Sequence, residues 1–360
     1  MWARRGENVK VLLVHPGASW STHDVWLGVD GALRRVGVEV VEFRTDGRLE
    51  ASSRYLHAAW RNSKHREELI KSTAVDAIYH MGEGLVARAL HFLPDWVIIV
   101  GGTYLHPDTL ALLRRAGTKI CAILTESPYQ FEQEKLIAER VQVLFTNERS
   151  TIEKFRPYCS HIYYWQHAYD PLRHRPVQDV ESDIARHDVV FVGTGFIERI
   201  RLLQRIDWAG IDFGLYGSWS LLGARSNLRK HLKLGIIDNQ ITAALYGKAK
   251  VGLNIHRTSM DWGRKTSHYE GAESMNPRCY ELAACGCFFI CDDRAEVKEM
   301  FGDLVPMFKT ANEANDLIHY YLAHDAERQQ RTELLPQIIA MHTFDERVEK
   351  LLGVLDDYHS

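Results

Sequence analysis

Glu273 and Glu281 are separated by seven residues in EGAESMNPRCYELAACGCFFICD, residues 270–292. Between them, Asn276 suits a helix N-cap, and Pro277 suits the first helical position, where its missing N–H would be unpaired anyway. The apolar run through Tyr280, Leu282 and Ala283 predicts a helix that stops at Gly286, a residue able to take the left-handed end conformation. CFFIC then predicts a short strand buried in a parallel sheet. A helix N-terminus gathers unpaired N–H groups at the positive end of its dipole, which prepares it for an anion. One acid near a polyol and another near a ribose would suit a nucleotide sugar whose diphosphate lies between them. The plainer reading is a solvated helix start with an incidental glutamate.

A second group precedes it. GTGFIER follows the apolar DVVFV and places Gly193, Thr194 and Gly195 in a strand-to-helix turn, where backbone can approach a phosphate closely. Arg199 falls on the first turns of the helix, and its guanidinium offers a fixed fork of donors suited to a diphosphate leaving group. Asn276 and Arg278, flanking the later helix start, would share that anion. Asn254 and His256, ending KVGLNIH, either line the same cleft or sit in the core. GTGFIE is also a partial dinucleotide fingerprint, with Asp212 near the distance expected for a ribose contact. It lacks the third glycine and opens the second half of the chain, which argues against a nicotinamide enzyme.

In the first half, Ser21, Thr22, His23 and Asp24 follow the first apolar strand. His23 or Asp24 could accept a proton from an acceptor hydroxyl, although Ser, Thr and Asp before a helix are also ordinary caps. Glu126, in LTESPY at the end of another strand, is a rival base, with His15 and His106 behind it. Cys279, Cys285, Cys287 and Cys291, four of the chain's six cysteines, crowd the central stretch and invite a zinc reading. No C-x2-C pair is present, so they are expected to be buried small hydrophobes and to hold no metal.

These residues need a frame. VKVLLV, a helix ending near Gly37 and VEVVEF make a β-α-β opening, whose ligand edge lies at the C-terminal ends of the strands. VDAIYH, DWVIIVGG, KICAILTE, VQVLFTN and HIYYWQ follow as strands alternating with helices, which predicts a doubly wound α/β domain over residues 1–168. The polar residues 169–186 read as a linker. A second α/β set, residues 187–340, contains DVVFV, IDFGLYG, a basic insertion ARSNLRKHLKLG, a helix near QITAALYGKA, KVGLNIH and the central stretch. Residues 341–360 carry a strongly amphipathic helix.

Glu273, the intervening residues, Glu281 and the closing Ala-Ala-Cys-Gly resemble the E-x7-E element of GT-B glycosyltransferases. The wording Asn-x-Arg-x-x-Glu-Leu-x-Ala-x-Gly is most similar to the spore-protein CgeB-type group. FVGTGFIERIRLL, ALYGKAKVGLNIHR and HTFDERVEKLL follow that group's order across the second half, while the first half matches weakly. The resemblance implies two Rossmann-like domains facing across a cleft, with the terminal helix crossing back to the first. It implies that Glu281 holds the nucleotide ribose, that Glu273 lies near the donor sugar, and that Arg199 carries the diphosphate. The donor would be a nucleotide sugar, a UDP-sugar being expected, with no other cofactor. The E-x7-E element implies a retaining outcome.

At 360 residues the chain has room for two domains with their own cores, and its 46% hydrophobic and 25% charged residues describe a globular protein. A net charge of −3 exerts no global pull on nucleic acid or anionic membrane. No apolar run is long enough for a signal peptide or a span, so a cytoplasmic protein is expected. The expected acceptor is a hydroxyl on a small molecule or glycan. A hydroxylated base in phage-like DNA is the enzyme alternative, and a non-catalytic nucleotide-sugar binder is the competitor from another class.

Overall fold

In the computed structural model, residues 9–17, 22–68, 70–176, 184–233, 235, 239–259, 269 and 271–358 are described. Ser21, part of the Gly17–Asp24 loop, residues 177–183 of the polar segment and most of the Arg257–Gly271 loop lie outside them. The chain divides into two compact units, Met1–Trp165 with Arg347–Ser360, and Gln166–Glu346.

The first unit is built on β1 (Lys10–His15), β2 (Glu39–Arg44), β3 (Trp96–Val100), β4 (Ile120–Ile123), β5 (Val143–Thr146) and β6 (His161–Tyr164). They form one sheet in the order β2-β1-β3-β4-β5-β6, with every pairing parallel. Strands β3, β4 and β5 are buried along their whole length. Helices on both faces of a parallel sheet demand such runs. The long Phe344–Asp357 helix passes into this unit from Arg347, and its Tyr358 end stands edge-on to Trp96 and His161, ring centroids 5.7 and 5.0 Å away.

VDAIYH is not a strand. The Ala74–Phe92 helix runs through it, opened by a capping box in which Thr73 accepts from the Asp76 amide and Asp76 accepts from the Thr73 amide. The alternation of Val75, Ala77 and Tyr79 imitates a strand. The residues that the helix buries, Ala77, Met81, Leu85 and Ala89, instead recur at helical spacing.

The second unit contains β7 (Val189–Val192), β8 (Phe213–Tyr216), β9 (Val251–Asn254), β10 (Phe289–Asp292) and β11 (Met307–Phe308). Their order is β11-β10-β9-β7-β8, again all parallel. Successive residues serve opposite faces: Phe289 and Cys291 join one core cluster, Phe288 and Ile290 the other. Residues 169–176, read as the start of a linker, are built into this unit. Tyr169 bridges to Thr343, and Asp170 and His174 are buried. Among the described residues, no helix is long and apolar enough to cross a membrane.

Candidate functional site

The Pro277–Ala284 helix forms as its sequence dictates. Asn276 caps it, accepting from the Cys279 amide at 3.3 Å, and Gly286 beyond its end has φ +64. Its first turn projects Arg278 toward the turn that follows β7. There the guanidinium occupies the space beside Gly193: a Cβ on that glycine would lie 2.4 Å from Arg278 Nη2. Gly195 serves packing, since a Cβ there would meet the Trp219 ring at 2.3 Å. The two glycines were expected to let backbone approach a phosphate; one makes room for a cation and the other for an indole.

Arg199, on the Ile197–Leu203 helix, enters the same place. Its Nη1 donates to the Thr194 carbonyl at 3.0 Å, and its Nε is buried without a hydrogen-bond partner among the described residues. The Phe191 ring lies under both guanidinium groups, 5.6 Å from Arg199 and 4.9 Å from Arg278. Burial, and then the nearby charge of Arg278, lower the Arg199 pKa to about 9, against the pull of Glu198 and Asp292. A buried cation with an unused donor, repelled by a half-buried one beside it, makes a site that gains from an anion.

Glu281 is three residues beyond Arg278, about one turn further along the helix, and only 9% exposed. Burial pushes its carboxyl up to about 7, although Arg278 and Arg173 favour its ionised form. The buried Tyr246 hydroxyl completes this corner beside Arg278 and Glu281. Glu273 is half-buried on the preceding loop. Its carbonyl accepts from the Glu296 amide at 3.1 Å, while the Glu296 carboxylate accepts from the Met275 amide at 2.6 Å and from Gln166 at 3.0 Å. Glu296 therefore clamps the loop that carries Glu273, a role its sequence position did not advertise.

Asn254 and His256 do not line a cleft; they are 0% and 5% exposed. His256 Nδ1 faces Asp292 Oδ1 at 2.7 Å, and its Nε2 accepts from the Asn276 amide at 3.2 Å, which fixes the proton on Nδ1. Burial alone would raise the Asp292 carboxyl; His256 outweighs it and holds the group at about 2. Among the described residues, His256, Cys279 and Cys291 form a group whose ligand atoms lie within 4.8 Å of one another. Cys285 and Cys287 stand outside it. The folded sheet thus assembles two cysteines and a histidine that no linear spacing announced. Each already has a protein partner: the Asn254 amide donates to both sulfurs, at 3.0 and 3.2 Å.

Asp212 cannot serve as a dinucleotide ribose acid. It immediately precedes β8, at the edge opposite the turn after β7, and pairs with His187 Nδ1 at 2.9 Å.

In the first unit, His23 and Asp24 form the first turn of the His23–Arg35 helix, and Thr22 before them makes no side-chain cap bond. His23 stands edge-on to Trp26, which stacks on His15 at 3.9 Å. Burial lowers the His15 pKa against the opposing pull of Glu42. Glu126 is buried just beyond β4, its amide donating to Glu134 at 3.0 Å. No hydrogen bond between His23 and Glu126 occurs among the described residues.

Residues 196–353 match a protein-family model described as glycosyl transferase-like. No curated protein sequence matches the chain. Solved structures share its fold over almost its whole length. The sucrose-phosphate synthase of Thermosynechococcus elongatus is 12% identical at a TM-score of 0.65, the match covering 98% of this chain and 99% of that one. An alpha,alpha-trehalose 6-phosphate synthase from Burkholderia multivorans is 11% identical at 0.62, covering 98% and 99%. An alpha-glucosyltransferase in complex with UDP and a 13-mer DNA containing a HMU base is 12% identical at 0.61, covering 97% and 100%. The two parallel-sheet, Rossmann-like domains are those of the GT-B fold.

Proposed function

We propose that this chain, a glycosyltransferase of the GT-B fold, holds a nucleoside-diphosphate sugar on its second unit and moves the sugar to a hydroxyl of a small molecule or glycan. The observation that carries the reading is the pairing of the buried Arg199 with the half-buried Arg278 beside the N-terminus of the Pro277–Ala284 helix. As the glycosidic bond breaks, negative charge grows on the diphosphate, and prearranged cations stabilise that charge more than they stabilise the ground state. They supply what a divalent cation supplies elsewhere, so the reaction proposed is metal-independent.

Glu281 accepts from the ribose hydroxyls, and Glu273 lies near the donor sugar. The base of the donor is taken to be uracil, and the outcome to be retention, as in the glycosyltransfer with retention named for a similar trehalose-6-phosphate synthase. His23, Asp24 and Glu126 are the candidates for handling the acceptor proton. The wording of the 276–286 stretch carries the narrower placing in the CgeB-type group.

A second reading, transfer to a hydroxylated base in DNA, is favoured by the likeness to the DNA-bound alpha-glucosyltransferase. A net charge of −3 weighs against it. A thermal-shift and hydrolysis panel of nucleotide sugars tests the main reading. Stabilisation and turnover with one donor are expected; binding without hydrolysis or transfer would leave a nucleotide-sugar binder. A salt titration of transfer then separates the acceptors, because phosphate contacts make DNA binding fall steeply with salt. Transfer to hydroxymethylated DNA alone, lost at high salt, would replace the small-molecule reading.

A further inference from the structure

We infer that Asn254 is a positioning residue for the reaction, an amide that holds Arg278 against Gly193; the inference rests on the donor site proposed above. Asn254 ends β9 directly across from Cys291 on β10, and it is completely buried. Its side chain makes every hydrogen bond an amide can make. Oδ1 accepts from Arg278 Nη1 and from Asn276 Nδ2, both at 3.0 Å. Nδ2 donates to the sulfurs of Cys279 at 3.0 Å and Cys291 at 3.2 Å.

The orientation is chemically fixed. A flipped amide would set its NH2 against two other donors, Arg278 and the Asn276 amide, and point its carbonyl at two thiols. Arg278, which can only donate, and Asn276, whose Oδ1 is taken by the Cys279 amide, choose which way the carbonyl faces, and the thiols accept weakly from the NH2. Held so, the carbonyl aims the guanidinium at the proposed diphosphate position and steadies the cap of the Pro277–Ala284 helix. A buried asparagine among thiols is otherwise poorly matched to an apolar core, where unpaired polar atoms are costly.

The test is a double-mutant cycle read by donor hydrolysis, UDP calorimetry and thermal melting. Arg278→Ala alone should weaken UDP binding and lower kcat; if it does neither, the donor-site reading falls and the cycle ends there. Given that loss, Asn254→Ala should lower kcat about 100-fold per folded molecule, the scale expected when a group is misplaced by about an ångström. The same change in the Arg278→Ala background should cost little more. A loss that is additive in the two variants, or a lower melting temperature with unchanged kcat, would overturn the positioning role and leave the donor site standing.

Should Asn254→Ala fail to fold, Asn254→Asp completes the cycle. It keeps the acceptor but sets a negative charge 3.0 Å from Arg278, so it should weaken UDP binding in the presence of Arg278 and not in its absence. Equal weakening in both backgrounds would overturn the inference.

Discussion

The guanidinium of Arg278 fills the space that a side chain on Gly193 would need, with Nη2 2.4 Å from the Cβ position. The glycine is thus required by a cation belonging to another element. Gly217, by contrast, has φ +107, and a Cβ there would lie 2.2 Å from the backbone oxygen of Gly193.

These two glycines should fail differently. Gly193→Ala meets the tip of the long Arg278 side chain, which can swing aside, and the edge of the Phe191 ring at 3.3 Å. The fold should survive within about 1 kcal/mol, while turnover falls as Arg278 leaves its place. Gly217→Ala meets backbone in a strained conformation and should cost more than about 2 kcal/mol. Denaturant melts beside donor turnover decide the matter. A Gly193→Ala variant with normal turnover would remove Arg278 from the chemistry.

Arg199→Ala should depress turnover more than donor binding, because its contact strengthens as charge develops. Lysine should restore only part of the rate, being a point charge without the fork. Normal turnover of Arg199→Ala at saturating donor would mean that another group carries the charge.

Glu281 gives a pH signature. Its folded pKa, raised by burial to about 7, exceeds the ordinary 4.5, so the folded state keeps a proton that the unfolded chain releases. Its contribution to stability is fully present below about pH 4.5 and is lost as pH rises through 7. Glu281→Gln should therefore be the more stable protein at pH 8, by up to about 3 kcal/mol, with the gap closing toward pH 5. Melting curves at both pH values check this, and an equal gap would show an ordinary carboxyl. With nucleotide present the order should reverse: Glu281→Ala should lose about 1.5–3 kcal/mol of UDP affinity through the missing hydrogen bonds to ribose. Calorimetry finding equal affinity would take Glu281 out of the site.

The His256, Cys279 and Cys291 group should purify without stoichiometric zinc. Burial holds the Cys291 thiol far above the range where it ionises, and a thiol must ionise to bind the metal. Elemental analysis after chelator treatment is the check; one zinc retained per chain would replace the hydrogen-bonded reading by a metal site.

Much of the second unit was legible because its signals are local. The Asn276-Pro277 start, the Gly286 stop and the turn after β7 depend on neighbours within a few residues. VDAIYH was misread because its alternation fits both periods, and the deciding cap lay outside it, at Thr73. The role of Asn254 was hidden by topology. β9 and β10 are adjacent in the sheet, with the helix that supplies Cys279 and Arg278 lying between them in sequence, so four residues from three elements converge. Nor does any spacing bring Arg173 near Glu281, or Glu296 to the amide of Met275.

The second unit, Gln166–Glu346, lies in sequence wholly inside the first, whose contact set also needs Arg347–Ser360. During synthesis from the N-terminus, the second unit is therefore complete while the Trp96 and His161 rings still await Tyr358. The six-stranded sheet must spend the whole translation of its neighbour with part of its surface uncovered. Uncovered apolar surface in a partly made α/β protein is where aggregation begins. A chain interrupted anywhere between residues 166 and 346 carries the first unit in that unfinished form, so the Phe344–Asp357 helix acts as a seal applied only once the second unit has been made.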